Sequence, residues 1–108
     1  MTCSDLERAL KAAVDPVYHL AAPPGITEYV VWHEYGLDNV RGDDRAQIRV
    51  PRVQIDAYTQ DDTPLEGNPL FQAVLDVLDE LELCYAVQDV GYDHDAAAMR
   101  MIVQCDVA

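Results

Sequence analysis

Three short acidic clusters are the residues of this chain best suited by type to bind a metal ion. They occupy positions 43–44, 61–62 and 93–95, the last with a histidine between two aspartates. Calcium and magnesium need several oxygen ligands that converge from different chain positions, usually around a glycine-shaped loop. No cluster has the spacing of a calcium-binding loop, and adjacent side chains of an extended segment point apart. We therefore predict solvated loops and no metal site.

The histidines could act in catalysis only if the fold brought a nucleophile beside one of them. His19, His33 and His94 are widely spaced, and no nucleophile motif lies near any of them. The glycines are isolated, which excludes a phosphate-binding loop or a dinucleotide fingerprint. We predict that His33 is half-buried in a strand and that His94 lies in a turn. The sequence thus predicts no catalytic residue, no cofactor and no enzyme activity.

The three cysteines, Cys3, Cys84 and Cys105, are an odd number without a close pair. This pattern fits neither a disulfide framework nor a zinc site. Cys84 and Cys105 lie in apolar segments, so we predict that both are buried, reduced thiols. The N-terminus lacks a basic stretch followed by an apolar core, and no apolar run approaches the ~20 residues of a membrane span. We expect synthesis in a reducing cytoplasm.

The elements that must position these residues follow from apolar spacing, and the first half predicts helices followed by strands. Asp15-Pro16 suits the N-cap and first position of a short helix. The apolar phase of the second strand changes at Pro51, which predicts a bulge there and a position near a sheet edge. The predicted elements of this half are helices over 5–14 and 16–20, strands over 27–35 and 46–59, and a hairpin loop over 36–45.

The second half predicts one strongly amphipathic helix and a closing hairpin. Asn68-Pro69 provides an N-cap and a first-turn proline, and apolar residues then recur at helical spacing as far as Leu81. Strands are predicted over 83–90 and 99–107, with a turn over 91–95. The chain is therefore predicted to be a single α+β domain over 1–108, in the order α-β-β-α-β-β. About four mainly antiparallel strands would carry two main helices on one face.

Charge is distributed unevenly along the chain, which has 20 Asp and Glu against 7 Lys and Arg, a formal net charge of -13. The net charge is -3 over residues 1–60 and -10 over residues 61–108, where Arg100 is the single basic residue. Binding to nucleic-acid backbones requires Lys and Arg that displace counterions, and binding to anionic membranes needs them too. The sequence therefore predicts neither nucleic-acid nor membrane binding.

Aromatic and charged residues near the predicted hairpin indicate a protein interface. The first strand has more large side chains than one helical layer can cover, although core packing is the better explanation for any single one. Four of the seven basic residues are arginines between positions 41 and 52, which could pair with the acidic half of a neighbouring subunit or simply be solvated. The candidate interface residues are Trp32, Tyr35, Arg41, Asp43, Asp44, Arg45, Asp76, Asp79 and Glu80.

The order of these features resembles small phage and prophage tail proteins of the tail-terminator and tail-completion (tail-to-head joining) type. The first helix, with Leu6-Glu7-Arg8-Ala9-Leu10, leads to Asp15-Pro16-Val17. The segment over 23–32, Pro-Pro-Gly-Ile-Thr-Glu-Tyr-Val-Val-Trp, then opens an aromatic and valine-rich strand. A strand over 52–58, one helix and a closing hairpin complete the likeness, which covers nearly the full length. The chain departs from the family in its acidic segment over 75–82 and its charged loop over 36–45.

The resemblance implies a structural virion protein without catalytic residues. Such a protein forms a ring, usually of six subunits, on the head-proximal end of the tail tube. It stops tube polymerisation and offers a surface to the head connector. The implied partners are other copies of the chain, the tail-tube protein and the head-connector protein. The implied location is the virion tail, after synthesis in the cytoplasm of the host bacterium.

Two hypotheses about the acidic residues remain open beside this interpretation. In a ring, Asp76, Asp79, Glu80 and Glu82 could line the lumen and repel passing DNA, because phosphate would meet carboxylate. Alternatively, the chain is an acidic protein-binding adaptor or a nucleic-acid mimic without catalytic activity.

Overall fold

Two helices pack on one face of a five-stranded sheet in this computed structural model, which describes residues 1–41 and 47–107, with only the backbone at 37–41 and 47–49. The elements are α1 (Cys3–Ala13), β1 (Val17–His19), β2 (Tyr29–Arg41), β3 (Gln47–Thr59), a 3₁₀ turn (Leu65–Gly67), α2 (Pro69–Glu80), β4 (Tyr85–Asp93) and β5 (Ala98–Asp106). The sheet order is β1-β2-β3-β5-β4; β1 is parallel to β2 and the other neighbours are antiparallel.

The predicted α+β class is confirmed, whereas the predicted strand number is corrected from about four to five. The additional strand is β1, which replaces the short helix predicted over 16–20. Val17 pairs with Val30 in parallel register, and the Val30 N–H donates to the Pro16 carbonyl at 3.0 Å. Five residues form few helical hydrogen bonds, whereas pairing with β2 satisfies the same backbone groups and buries Val17. Tertiary pairing therefore overrides the local helix signal.

The strand β2 continues well beyond the predicted first strand into the predicted hairpin loop, whereas β3 begins within the predicted second strand. Five residue pairs, from Leu37↔Pro51 to Arg41↔Gln47, extend this antiparallel ladder. Because β5 ends opposite Arg52, at Asp106, these pairs form a two-stranded arm beyond the rest of the sheet. We call residues 37–41 and 47–51 the arm. The periodicity predicted the β3 half of the arm but missed the β2 half, because the polar and charged residues over 37–41 provide little apolar alternation.

The irregularity predicted at Pro51 lies instead on the neighbouring strand. β3 is central where β5 pairs with it, but Pro51 lies just beyond the end of β5, at the edge that the sequence predicted. The register shifts between Glu34 and Gly36, so that Tyr35 is the additional residue of β2. The Pro51 carbonyl accepts a hydrogen bond from the Val107 N–H at 2.9 Å, which places the proline nitrogen on the side where β5 ends. No ladder hydrogen bond is lost there, so this proline is tolerated without a bulge.

The hydrophobic core lies between the helices and the sheet. The N-terminus of α1 is capped by Thr2 and Asp5, whose side chains and backbone N–H groups bond reciprocally. The predicted N-cap of α2 is confirmed, because the Asn68 side chain accepts from the Phe71 N–H at 3.2 Å. The buried core side chains include Leu6, Leu10, Val30, Val53, Ile55, Phe71, Val74, Leu78, Met101, Val103 and Cys105.

The closing hairpin follows its prediction in pattern but not in its bounds. Residues Met101, Val103, Cys105 and Val107 face the core as their alternation predicted. The turn comes later than predicted, since Gly91 pairs with Arg100 and Asp93 with Ala98 inside the ladder. Cross-strand pairing thus extends β4 through residues whose types favour a turn. No helix in the described residues is long and apolar enough to cross a membrane.

Candidate protein interface

One face of the sheet has no described helix against it. Strand alternation places Val30, Ile55 and Val103 towards the helices and their sequence neighbours on the opposite side. We call that opposite side the open face. Its residues on the four long strands include Tyr29, Val31, His33, Tyr35, Arg52, Gln54, Asp56, Tyr58, Asp89, Arg100, Ile102 and Gln104. This mixture is more apolar than a solvated sheet face and more polar than a core.

Aromatic side chains occupy the end of the open face farthest from the arm. Tyr29 and Tyr58 are directly opposite on β2 and β3, with ring centroids 4.7 Å apart. Burial raises the pKa of both phenols. A hydrogen bond with Tyr58 raises the pKa of Arg100, whose guanidinium lies 3.1 Å from an Asp93 carboxylate oxygen. This end of the face is therefore ordered and only half-exposed.

A chain of polar side chains crosses the strands nearer the arm. The Tyr35 hydroxyl donates to Gln104 Oε1 at 3.4 Å, and Gln104 Nε2 donates to Gln54 Oε1 at 3.2 Å. The Gln54 amide in turn donates to an Asp56 carboxylate oxygen at 3.0 Å. The Arg52 guanidinium carbon lies 5.1 Å from the centre of the Tyr35 ring. Such a rigid aromatic and amide surface is typical of protein interfaces.

The predicted interface residues are divided between different parts of the molecule. Tyr35 lies on the open face, where it is 37% exposed. Arg41 is the last residue of β2, in the arm. Asp43, Asp44 and Arg45 lie outside the described residues. The structure therefore brings only the first of these onto the open face.

Trp32 is a core residue and lies on the helix side of the sheet, not on the open face. Its side chain is only 5% exposed. The indole Nε1–H donates to Glu7 Oε2 of α1 at 2.9 Å, and the His19 ring stacks on the indole with centroids 4.0 Å apart. Because β1 and α1 cover this part of β2, the surplus aromatic surface inferred from sequence is smaller than expected.

The predicted acidic residues of α2 are exposed and lie away from the open face. Asp76, Asp79 and Glu80 face solvent on the helix, and Glu82 follows just after it. The Tyr85 hydroxyl donates to Asp79 Oδ1 at 2.7 Å. These four carboxylates form a separate surface, which we call the acidic helix face.

Aspartates of the acidic clusters at 61–62 and 93–95 have hydrogen-bond partners within their own turns. Asp61 accepts from Thr63 and Asp93 from the N–H of Asp95, so both stabilise turns. No group of three or more His, Cys, Asp and Glu within residues 1–41 and 47–107 is arranged to hold a metal ion. A cleft of about 300 Å³ between the C-terminus of α1 and the N-terminus of α2 contains Glu28, whose carboxylate accepts from the Thr59 hydroxyl at 2.6 Å.

The cysteines differ from one another in accessibility. Cys105 is buried as predicted, and burial raises the pKa of its thiol to about 12. The prediction for Cys84 is wrong, because this residue is exposed in the connection before β4. Cys3 is half-buried, and burial raises its pKa. Apolar neighbours in the sequence do not show whether the side chain of a residue in a connection faces the core or the solvent.

Comparison of the chain with models of known protein families and with curated proteins finds no match.

Proposed function

We propose that this protein is a structural component of a phage or prophage tail, which caps the head-proximal end of the tail tube and joins it to the head connector as a ring. The observation that carries the proposal is the pairing of an open sheet face with a projecting two-stranded arm on a small α+β body. A ring subunit must bind two lateral neighbours, the tube below and the connector above. It therefore needs several separate contact surfaces rather than one deep pocket.

The dimensions of the molecule support this role. The chain extends 50 Å along its longest axis against 26 and 24 Å across. Five arm pairs at about 3.4 Å per residue add roughly 17 Å to a nine-residue strand of roughly 30 Å, which accounts for most of that length. An elongated subunit with an arm can span from one layer of an assembly to the next.

The acidic helix face suits the channel of such a ring. Four exposed carboxylates without a basic residue among them would repel DNA that passes close by. Replacing Asp76, Asp79, Glu80 and Glu82 together by Lys tests this placement. We expect reduced infectivity and slower DNA ejection from otherwise complete particles. Unchanged infectivity and ejection would contradict a channel position.

The proposed function is tested by deleting the reading frame from the phage or prophage genome that encodes it. Without a cap, tube subunits continue to add and the tail cannot join the head. We expect electron micrographs of the lysate to show filled heads without tails and tails of abnormal length, and a plasmid copy of the wild-type gene should restore joined particles. Joined tails of normal length in the deletion lysate would refute the proposal. Flanking reading frames for tail-tube and connector proteins would support it.

The acidic helix face also favours a second candidate, an acidic adaptor or nucleic-acid mimic. In that case the purified protein should displace DNA from a basic DNA-binding protein, and Asp76→Lys with Asp79→Lys should abolish the competition. The deletion phage would then assemble normally. Competition together with normal assembly would select this candidate over the tail component.

A further inference from the structure

The open face carries more acidic than basic side chains. Asp93 and Asp106 lie against Arg100 and Arg52, at 3.1 Å and 3.7 Å. Asp56 accepts an amide hydrogen bond from Gln54 and interacts with the charge of Arg100, but it forms no ion pair within the described residues. Asp89 is exposed on β4 and has no ion pair with any residue of the described chain. The face therefore offers two carboxylates to a basic partner, beside half-exposed aromatic and aliphatic side chains.

The same chain contains one segment of matching charge. The arm carries Arg41 and Arg49 against Asp38, a net charge of +1, whereas the rest of the sequence has a net charge of -14. It continues β2 and β3 beyond the end of β5. Because the arm extends away from its own sheet, it is available to a different molecule.

The size of the arm also fits the open face. Its five residue pairs are roughly 17 Å long at about 3.4 Å per residue. The four antiparallel strands of the open face, at about 4.8 Å spacing, are roughly 14 Å from the first to the last axis. One arm can therefore cross the face from β2 to β4, past Asp56 on the way to Asp89.

We propose that a second copy of this chain lays its arm, which carries Arg41 and Arg49, across the open face over Asp56 and Asp89. The inference rests on the proposed function in that it names the contact between neighbouring ring subunits. The contact is heterologous, because the arm of one copy meets the face of the next and leaves its own face free for a third. Head-to-tail contacts of this kind close into rings when the rotation between subunits permits.

The test measures self-association of the purified full-length chain, without tail tube, by sedimentation velocity from about 10 μM to 1 mM, a range that covers contacts of weak to moderate affinity. Association that grows with concentration is expected for the wild type. Reversing the arm charges with Arg41→Glu and Arg49→Glu should raise the dissociation constant at least tenfold, and Asp89→Lys should do the same. Combining the three substitutions should restore part of the affinity, because the new glutamates of the arm then meet a lysine at position 89, whereas Asp56 stays acidic.

A matched control separates this contact from general charge effects. Asp76→Lys with Asp79→Lys changes the net charge by +4 on the acidic helix face, in the same direction as the change of +2 in Asp89→Lys, and we expect it to leave the dissociation constant within about twofold. Far-UV circular dichroism and the urea midpoint must match the wild type for each variant compared. Should the arm variant fold poorly, Asp89→Lys alone still tests the prediction, because that side chain is exposed on an edge strand.

Photocrosslinking identifies the occupant directly. A benzophenone amino acid at position 31, on β2 directly opposite Asp56 of β3, should crosslink to peptides from the arm of a second copy. The same group at position 12, exposed on α1, should not. A strict monomer at 1 mM, crosslinks to other segments, or an arm variant that associates like the wild type would each overturn the inference. If the protein is a strict monomer but tails are still capped normally, the arm contact is overturned and the proposed function stands. If the protein self-associates but does not cap tails, the proposed function is overturned and the arm contact stands.

Discussion

Asn68 holds the loop after β3 to the start of α2, and its replacement by Ala should be among the most damaging polar substitutions in this chain. The side chain is fully buried. It accepts from the Phe71 N–H at 3.2 Å, and its amide donates to the carbonyls of Asp61 and Thr63 at 3.2 and 3.0 Å. One side chain thus combines a helix cap with a clamp on the preceding loop.

The expected magnitude follows from these three hydrogen bonds. Loss of the cap costs about 1 kcal/mol. Each carbonyl left without its amide donor costs about 1 kcal/mol if water cannot replace the donor. Water can reach Asp61, which is exposed, more easily than the half-buried Thr63. We therefore expect Asn68→Ala to lower the free energy of unfolding by about 2–3 kcal/mol.

The assay is urea unfolding, followed by the fluorescence of the single tryptophan, Trp32. With a denaturant slope of about 1.5 kcal/mol per molar urea, the midpoint of Asn68→Ala should fall by roughly 1.3–2 M. Asn68→Ser keeps a cap acceptor but cannot reach both carbonyls, so it should lose about half as much. The control is Asp62→Ala in the same loop, where an exposed side chain should change stability by less than about 0.5 kcal/mol.

Two results would refute this account of Asn68. A midpoint shift of Asn68→Ala no larger than that of the Asp62 control would show that the buried amide contributes nothing. Equal losses for the Ser and Ala variants would show that the cap itself has no effect and that only the clamp matters.

Three further predictions concern the reactivity of the thiols, the loss of stability at low pH and the backbone of one turn. A thiol reagent at pH 8 should label Cys84 rapidly in the native protein and Cys105 only in denaturant, because Cys84 is exposed and burial raises the pKa of Cys105 to about 12. Mass spectrometry measures the two labelling rates, and equal rates would contradict the fold. The hydrogen bond from His19 lowers the pKa of Glu34 below 4.5, so its stabilisation is present above that value and is lost as the pH falls through the lowered pKa. The urea midpoint of Glu34→Gln should accordingly fall less than that of the wild type between pH 6 and pH 3, and parallel losses would refute the linkage. Gly25 has a φ of +87° with open space around it, so Gly25→Ala should lower the thermal midpoint through backbone strain of about 1 kcal/mol, and an unchanged midpoint would contradict that conformation.

The elements that the sequence predicted well are those whose signals are local. Asn68-Pro69 caps α2 in the structure, because both capping and the preference for proline at the first position depend only on adjacent residues. The alternation through β5 identified its core-facing side chains, because a strand with one buried face must repeat every second residue. The apolar stripes of α1 and α2 likewise placed both helices on the sheet.

Only the tertiary structure decided which segments pair and which side chains those pairs cover. Val17 joins a parallel strand because β2 lies beside it, and Trp32 is buried because β1 and α1 cover it. The arm forms because the backbone groups of β2 and β3 satisfy each other regardless of side-chain polarity. Composition alone shows that this chain is strongly acidic, but local residue spacing does not show which carboxylates lie on the same surface. The fold places part of this charge on the acidic helix face and part on the open face, where two carboxylates lie outside the described ion pairs, because distant strands meet only when the sheet is complete.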